Sequence, residues 1–325
     1  MRNKLLIVAV LAILVLTALV LQMRSAERTD ELASRDLLSA EQKEQLAALE
    51  RITLERGESR VELAQLDGSW GGLSHAGFPV QRERLAALLH ALRGARVVEE
   101  KTANPEHHAR LGLDVDAAEA EPLLVRLHAA GQDFGVIYGN PVGSGQLVRF
   151  IDDAQVLLIN RALNMSVNPA DWLARQVVDI PLAQVASARW QHADGEVLEM
   201  TKQTEGDYNL RLAGLSEEEQ GGNERWVNTM VLALVNLSVQ NVVLREELNL
   251  PEPMLQMQVA TWAGSELQAS LYELDGGYWL LMDSFNPAAD DAELQVNADP
   301  RWAYQIGIGQ LESLNKRQAD VVRTP

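Results

Sequence analysis

The chain has 325 residues and a net charge of −18, from 46 Asp and Glu against 28 Lys and Arg. This charge argues against binding a nucleic-acid backbone or anionic lipid headgroups through a broad surface. The absence of cysteine excludes disulfides, thiolate metal sites and cysteine nucleophiles. The length suits one large domain or two of ordinary size, and two are favoured.

The first predicted element is the apolar run Leu5–Leu21, which Arg2 and Lys4 precede. As a helix it spans about 25 Å, it exceeds the roughly 7–15 residues of a signal-peptide core, and no small-x-small cleavage site follows it. We therefore predict an uncleaved single-pass transmembrane anchor (residues 1–24), with the N-terminus cytoplasmic in a bacterial inner membrane and the body periplasmic. A cleaved signal peptide and a buried helix are the alternatives. Residues 25–38 are charged and aperiodic, which indicates a stalk.

The next stretch predicts a short helix followed by a three-stranded sheet. Ser39 and Gln42 have the spacing of a capping box, so a helix begins there. Apolar and polar residues then alternate on both sides of Gly57, which predicts a hairpin with one buried face. Trp70 begins a third strand. Leucines at i, i+3, i+4 and i+7 predict an amphipathic helix over Leu85–Leu92.

The rest of the first half predicts an antiparallel meander. Asn104 and Pro105 form a helix start, with Asn as the cap and Pro in the first turn. Turn residues then separate four runs with strand-like composition: Leu123–His128, Asp133–Tyr138, Gln146–Phe150 and Gln155–Asn160.

The second half repeats the order of elements. A hairpin turns at Asp194 and Gly195, and a helix capped by Asn223 runs to Leu237. Three strands, at Leu255–Ala260, Glu266–Leu274 and Tyr278–Asp283, and a last strand alternating from Trp302 to Ile308 complete it. We predict an α+β fold in which an N-terminal transmembrane helix precedes two similar antiparallel-sheet-plus-helix repeats, residues 39–165 and 166–325. Two independent α+β domains are the alternative.

No catalytic, cofactor-binding or metal-ligating residue is predicted, and no cofactor. The adjacent His107 and His108 point about 100° apart on a helix, which is unsuited to one metal ion. The run 72–77 misses the Gly-x-Ser-x-Gly elbow by one residue. Gly143-Ser144-Gly145 lies between two strands and lacks the lysine of a phosphate loop.

Acidic pairs and tryptophans leave two further readings open. Asp152-Asp153, Asp290-Asp291 and Glu217-Glu218-Glu219 are candidates for calcium binding or for acid/base chemistry on glycans, against the favoured reading as solvated turns. Six tryptophans are candidates to line a sugar cleft, although their apolar positions favour core packing: Trp172, Trp190, Trp226, Trp262, Trp279 and Trp302.

Two motifs carry a family resemblance. One is the stretch from Trp70 through Gly-Phe-Pro to Pro79, and the other runs from Glu100 to Leu113 and ends in Leu-Gly-Leu. With weaker matches later, the chain resembles, over about residues 45 to 285, an uncharacterised bacterial membrane-anchored domain family (a domain of unknown function) associated with gliding-motility-type ABC transporter accessory proteins. The resemblance implies an auxiliary function beside an ABC-2-type exporter and offers no catalytic residues.

The leading hypothesis is a non-catalytic, membrane-anchored extracytoplasmic accessory protein of an ABC-type transport system. Its expected partners are inner-membrane ABC transporter subunits, with membrane contact through Leu5–Leu21 and no nucleic acid. The alternatives are an envelope hydrolase that uses acidic residues on glycans, and a lipid- or polymer-binding module.

Overall fold

The computed structural model describes residues 34–117, 121–215, 224–291 and 293–322, which form two compact units. Unit 1 takes the described chain up to Leu73 together with Arg82–Trp172. Unit 2 takes Ser74–Gln81 and the described chain from Leu173 onward. The segment Ser74–Gln81 therefore interrupts unit 1 in sequence and contributes to the other unit.

The described residues of the first half form strands from two to eleven residues long, and the strand pairings within unit 1 are antiparallel. In chain order they are β1 Arg35–Asp36, β2 Leu49–Arg56, β3 Ser59–Leu66, β4 Ser69–Gly72, β5 Phe78–Pro79, β6 Arg96–Glu100, β7 Leu123–Ala129, β8 Gln132–Val142, β9 Gly145–Phe150 and β10 Leu157–Ile159. All except β5 belong to unit 1, where the sheet order is β1-β6-β10-β9-β8-β7-β2-β3-β4. The predicted hairpin and meander are confirmed.

Unit 1 also contains the helices α1, Ala40–Gln45, and α2, Arg82–Gly94. Ser39 caps α1 in the predicted capping box. The leucines Leu85, Leu88 and Leu92 of α2 are buried, which confirms the amphipathic helix. One apolar cluster of this unit packs residues from the loop before β7 and from four strands or their flanks: Leu113, Leu124, Ile137, Leu147 and Val156.

Unit 2 has a main sheet and a small one. Its later strands are β11 Gln176–Asp179, β12 Val185–His192, β13 Val197–Thr201, β14 Arg211–Leu212, β15 Asn236–Ser238, β16 Asn241–Leu244, β17 Leu255–Thr261, β18 Glu266–Leu274, β19 Gly277–Asn286, β20 Gln295–Val296 and β21 Trp302–Ile306. The main sheet has the order β14-β13-β12-β17-β18-β19-β21-β16, and the small sheet has the order β15-β11-β20.

The core of unit 2 lies between its main sheet and the helix α3, Glu224–Val235. Two C-terminal helices, α4 (Ile308–Leu314) and α5 (Gln318–Val321), add Leu314 and Val321 to this core. Trp190 is fully buried there, and its Nε1 donates a 3.0 Å hydrogen bond to the carbonyl oxygen of Leu314. Phe78 joins this core from the Ser74–Gln81 segment. Its ring packs edge-on against Trp302 at a centroid distance of 5.3 Å.

Two predicted boundaries are wrong for identifiable reasons. The helix predicted to run through Leu237 ends at Val235, because Asn236–Ser238 pairs with β11 instead of continuing the helix. The last strand, predicted to reach Ile308, ends at Ile306, and Ile308 begins α4 with its side chain exposed. In both places a tertiary pairing or a helix start overrides the local apolar pattern.

The predicted fold class is wrong and is corrected here to predominantly antiparallel β-sheet. Among the described residues, no helix is long and apolar enough to cross a membrane. The 13 residues of α2 extend about 20 Å, against a hydrocarbon core of about 30 Å. The predicted anchor Leu5–Leu21 lies outside the described residues. The transmembrane, single-pass and signal-anchor predictions, and the inner-membrane location drawn from them, are corrected on this finding and not carried forward.

Candidate functional site

The main candidate site is a groove on the open face of unit 1, a cavity of about 420 Å³. Residues of β2, β3, β7 and β8, together with the loop after β9, line it. We call it the sheet groove, and its lining consists of Arg51, Thr53, Arg60, Glu62, Arg126, Leu127, His128, Asp133, Phe134, Gly135, Ile151 and Asp152.

Strand alternation places the charged side chains of the groove together. On β2, Arg51 is exposed while the next residue, Ile52, is fully buried. The antiparallel register sets Arg51 opposite His128, and Thr53 opposite Arg126. Because neighbouring strands lie about 4.8 Å apart, outward side chains at matched positions form a row across the sheet.

Charges of both signs in and around the sheet groove are connected by ion pairs. Arg60 Nη2 lies 2.6 Å from Glu62 Oε1, and Arg126 Nε lies 3.6 Å from an oxygen of Glu55. His128 Nδ1 also lies within hydrogen-bond distance of Asp133 Oδ1, at 2.7 Å, and this contact is an ion pair only when the imidazole is protonated. Within the described part of the chain, Arg51 has no such partner, so one guanidinium in the groove is available to another molecule.

The groove also has apolar elements. Leu127 is buried, and the half-buried Phe134 and Ile151 line the cavity. Gly135 allows Ile151 to lie close to the strand, since a Cβ there would come 2.2 Å from Cδ1 of Ile151. An apolar base with charged walls resembles the mixed composition of protein interfaces.

The predicted acidic candidates fall in different environments. Asp152 is exposed and lines the sheet groove, while Asp153 accepts a 2.9 Å hydrogen bond from the backbone NH of Gln155 and so forms a turn. Asp290 is exposed and Asp291 is buried, both in unit 2. Glu217-Glu218-Glu219 lies outside the described residues.

Asp291 belongs to a hydrogen-bonded network and not to a solvated turn. Its Oδ2 accepts hydrogen bonds from Thr261 Oγ1 and, at 2.6 Å, from Ser265 Oγ. The bonds from Ser265 and then Thr261 lower the pKa of Asp291, against the opposing effect of its burial. Ser265 Oγ also accepts from the backbone NH of Ala288 at 2.8 Å. These partners occupy the carboxylate, so its role is structural.

The histidine and serine candidates are held by local contacts. His108 Nε2 lies 3.0 Å from the carbonyl oxygen of Ala154, and His107 Nδ1 lies 3.4 Å from Thr102 Oγ1. Ser74 Oγ lies 3.2 Å from Nδ1 of the adjacent His75, and neither residue lines the sheet groove. In the described ranges, no group of three or more His, Asp or Glu is arranged to hold a metal ion.

The tryptophans do not assemble into one cleft. Trp172, Trp190 and Trp302 are buried, as the core reading predicts. Trp226 is 46% exposed, and Nζ of Lys316 lies 4.9 Å from its ring centroid. Lys316 therefore makes a cation–π contact with a ring that the apolar pattern of the helix predicted to be buried.

Sequence reasoning missed the arginines and His128 of the sheet groove. A signal was present for Arg126 and His128, because both alternate with buried neighbours along a predicted strand, whereas Arg51 follows the exposed Glu50 and precedes the predicted strand. What the sequence lacked was the pairing of β2 with β7, which are about seventy residues apart in the chain.

Comparison with known proteins identifies one family. A model for a domain of unknown function, DUF4340, matches residues 70–253, more than half of the chain. The match includes β7 and β8 of the sheet groove, while β2 and β3 precede it. No curated protein and no solved structure matches the chain.

Proposed function

We propose that this chain, which belongs to the DUF4340 family of domains of unknown function, acts without catalysis, as an accessory protein that binds a partner protein through the sheet groove. One observation carries the proposal: Arg51 is exposed in the groove with no partner among the described residues, beside a network of paired charges and an apolar base.

Arginine suits this function better than other cations. Its planar guanidinium presents several donors in a fixed geometry, and arginine is enriched at the energetic centres of protein interfaces. The neighbouring pairs of Arg60 with Glu62 and of His128 with Asp133 limit the movement of the groove's side chains. A partner therefore meets some side chains that are already paired before it binds.

The proposed partner is a subunit of an ABC-type transport system. This part of the proposal depends on the resemblance of Trp70–Pro79 and Glu100–Leu113 to accessory proteins of such systems. The two motifs lie inside the family match. The DUF4340 description itself states no transport function.

Affinity capture tests this proposal. The full chain is captured from the cells that naturally produce it, and the bound proteins are identified by mass spectrometry. We expect ABC transporter subunits in the capture, and about tenfold lower recovery with Arg51→Glu, because charge reversal at an interface arginine disrupts its pairing. The control is Arg82→Glu, which makes the same charge reversal at an exposed position of α2. Absence of transporter subunits, or equal recovery with both variants, contradicts the proposal.

A second candidate function is hydrolysis of envelope glycans. One observation favours it: two carboxylates, Asp133 and Asp152, line the same groove. If the groove is a glycosidase site, Asp152→Asn removes glycan turnover, because both carboxylates are needed for the acid/base pair. Turnover that is unchanged in this variant, or absent from the unmodified chain, rejects the candidate. The lipid- or polymer-binding hypothesis stays a prediction.

A further inference from the structure

Unit 1 contains a second cavity, of about 630 Å³, at the turn between β2 and β3. We call it the arginine pocket. The β2–β3 hairpin, the first turn of α2 and the loop before Trp172 form its walls. Its lining consists of Arg56, Ser59, Arg60, Arg84 and residues 164–169.

The pocket is positively charged in a chain whose net charge is −18. Three of its lining residues are arginines and none is Asp or Glu. Within the described residues, neither Arg56 nor Arg84 has an ion-pair partner. Arg60 contacts Glu62 at 2.6 Å and Glu55 at 3.4 Å, so its charge is already shared. Arg56 and Arg84 therefore supply the free positive charge.

Internal contacts hold one wall of the pocket in place. Ser166 Oγ donates a 2.7 Å hydrogen bond to Asp171 Oδ2, and Asn168 Oδ1 accepts one of 3.1 Å from the NH of Ala170. Trp172 is fully buried, and its Nε1 donates to the carbonyl oxygen of Ser166 at 3.0 Å. The loop is thus fixed before a ligand binds, which lowers the entropic cost of binding.

Trp172 also orients one of the free arginines. The guanidinium carbon of Arg84 lies 5.8 Å from the centre of the Trp172 ring. Stacking of this kind restricts the arginine without using its hydrogen-bond donors. Arg84 therefore keeps its donors for a ligand.

We infer that the arginine pocket binds an acidic peptide segment of a partner protein, with the peptide's carboxylates held by Arg56 and Arg84. Arginine forms bidentate hydrogen bonds with carboxylates, and Ser59, Asn164 and Asn168 add polar groups around them. The cavity is larger than a single oxyanion needs and accepts several side chains. This inference deepens the proposed function and rests on it for the statement that the ligand is a protein.

A binding assay tests the inference. Fluorescence polarisation measures the binding of a fluorescein-labelled hexaglutamate peptide to the full chain. We expect saturable binding that weakens as salt rises, and no binding of a labelled hexaglutamine peptide. Arg56→Gln with Arg84→Gln is expected to weaken binding about tenfold or more, because two charge-assisted contacts are lost. The control pair, Arg82→Gln with Arg93→Gln, removes the same charge from exposed positions of α2 and is expected to bind normally. Circular dichroism verifies that both variants fold.

Three results overturn the inference: no saturable binding, equal weakening in both double variants, or displacement of the peptide by inorganic phosphate at equal molar concentration. Equal weakening indicates only a general charge effect, and displacement by phosphate indicates an oxyanion site. The assay needs no transporter. A positive peptide result with no transporter in the affinity capture therefore rejects the proposed partner and leaves the pocket standing.

Discussion

Ser265 donates a 2.6 Å hydrogen bond from its Oγ to Oδ2 of Asp291, and both residues are buried in unit 2. The bond connects the residue immediately before β18 to the 3-10 turn Ala289–Asp291, which follows β19. Thr261, the last residue of β17, donates to the same oxygen. One carboxylate therefore fastens three segments of the sheet's end.

Replacing Asp291 by Ala is expected to lower the free energy of unfolding by about 2 kcal/mol, since the buried hydroxyls of Thr261 and Ser265 lose their acceptor. Urea unfolding at neutral pH measures this. Asp290→Ala is the matched control: its side chain is exposed, and a change within about 0.5 kcal/mol is expected. Equal effects of the two substitutions contradict the structural role of Asp291.

The same network predicts a dependence of stability on pH. Hydrogen bonds from Ser265 and Thr261 lower the pKa of Asp291 in the folded state. A depressed folded-state pKa stabilises the protein above the unfolded pKa of about 3.9, and this stabilisation is lost as pH falls through the folded pKa. Urea unfolding from pH 7 downward is therefore expected to show a shallower acid loss in Asp291→Asn than in the unmodified chain. Identical slopes contradict this.

Gly145 is expected to tolerate no side chain. A Cβ there would lie 2.2 Å from the carbonyl oxygen of Ile159, a backbone atom of the neighbouring strand. Gly145→Ala is expected to destabilise the protein by about 1–3 kcal/mol because the strand pairing must shift. Gly94→Ala, at the end of α2 with no atom near its added Cβ, is the control and is expected to be neutral or slightly stabilising. Thermal unfolding distinguishes the two.

Phe78 tests the assignment of Ser74–Gln81 to unit 2. Its fully buried ring lies 5.3 Å from Trp302 and 6.2 Å from Tyr304, both edge-on. Phe78→Ala is expected to cost about 3–5 kcal/mol and to expose amides of unit 2 in hydrogen exchange. Phe134→Ala, at a half-buried position of the sheet groove, is the comparison and is expected to cost less. Loss of protection confined to unit 1 in the Phe78 variant contradicts the assignment.

Arg317 holds the C-terminal helices to the β12–β13 hairpin. Its Nη1 lies 2.8 Å from Asp194 Oδ2 and 2.8 Å from Glu196 Oε2, and its hydrogen bonds are the main cause of the lowered pKa of both carboxyls. Arg317→Gln is expected to raise both pKa values toward their ordinary range. Carbon-13 titration of the carboxyls measures this, with Arg93→Gln as the control. Unchanged titration in Arg317→Gln contradicts the assigned cause.

Elements defined by local pattern were predictable from the sequence. The β18 strand has the predicted bounds, Glu266–Leu274, because its alternation and its flanking turns are local signals. The short 3-10 helix Pro105–His107 appears where Asn104 and Pro105 indicated a helix start, and the Asn104 side chain caps it. Features that depend on non-local contacts were not predictable. Nothing in the local sequence indicates that strand pairing ends α3 at Val235, or that Phe78 packs in unit 2.

The candidate site was less predictable than the fold. Arg51 and Arg126 line the same groove because β2 pairs with β7, and a single sequence does not specify that register. Asp291 was predicted as part of a solvated turn, because the residues that donate hydrogen bonds to it, Thr261 and Ser265, lie in another hairpin. That residues 39–165 and 166–325 are two similar repeats stays a prediction.

The central claim is that the sheet groove binds a transporter subunit, and site-specific photocrosslinking tests it most directly. A photoreactive phenylalanine analogue replaces Phe134, which lines the sheet groove, in one variant and the exposed Arg82 of α2 in another, so that Arg51 is kept in both. We expect a crosslink to an ABC transporter subunit from position 134 and none from position 82. Crosslinks from both positions alike, or none to a transporter subunit from position 134, contradict the claim.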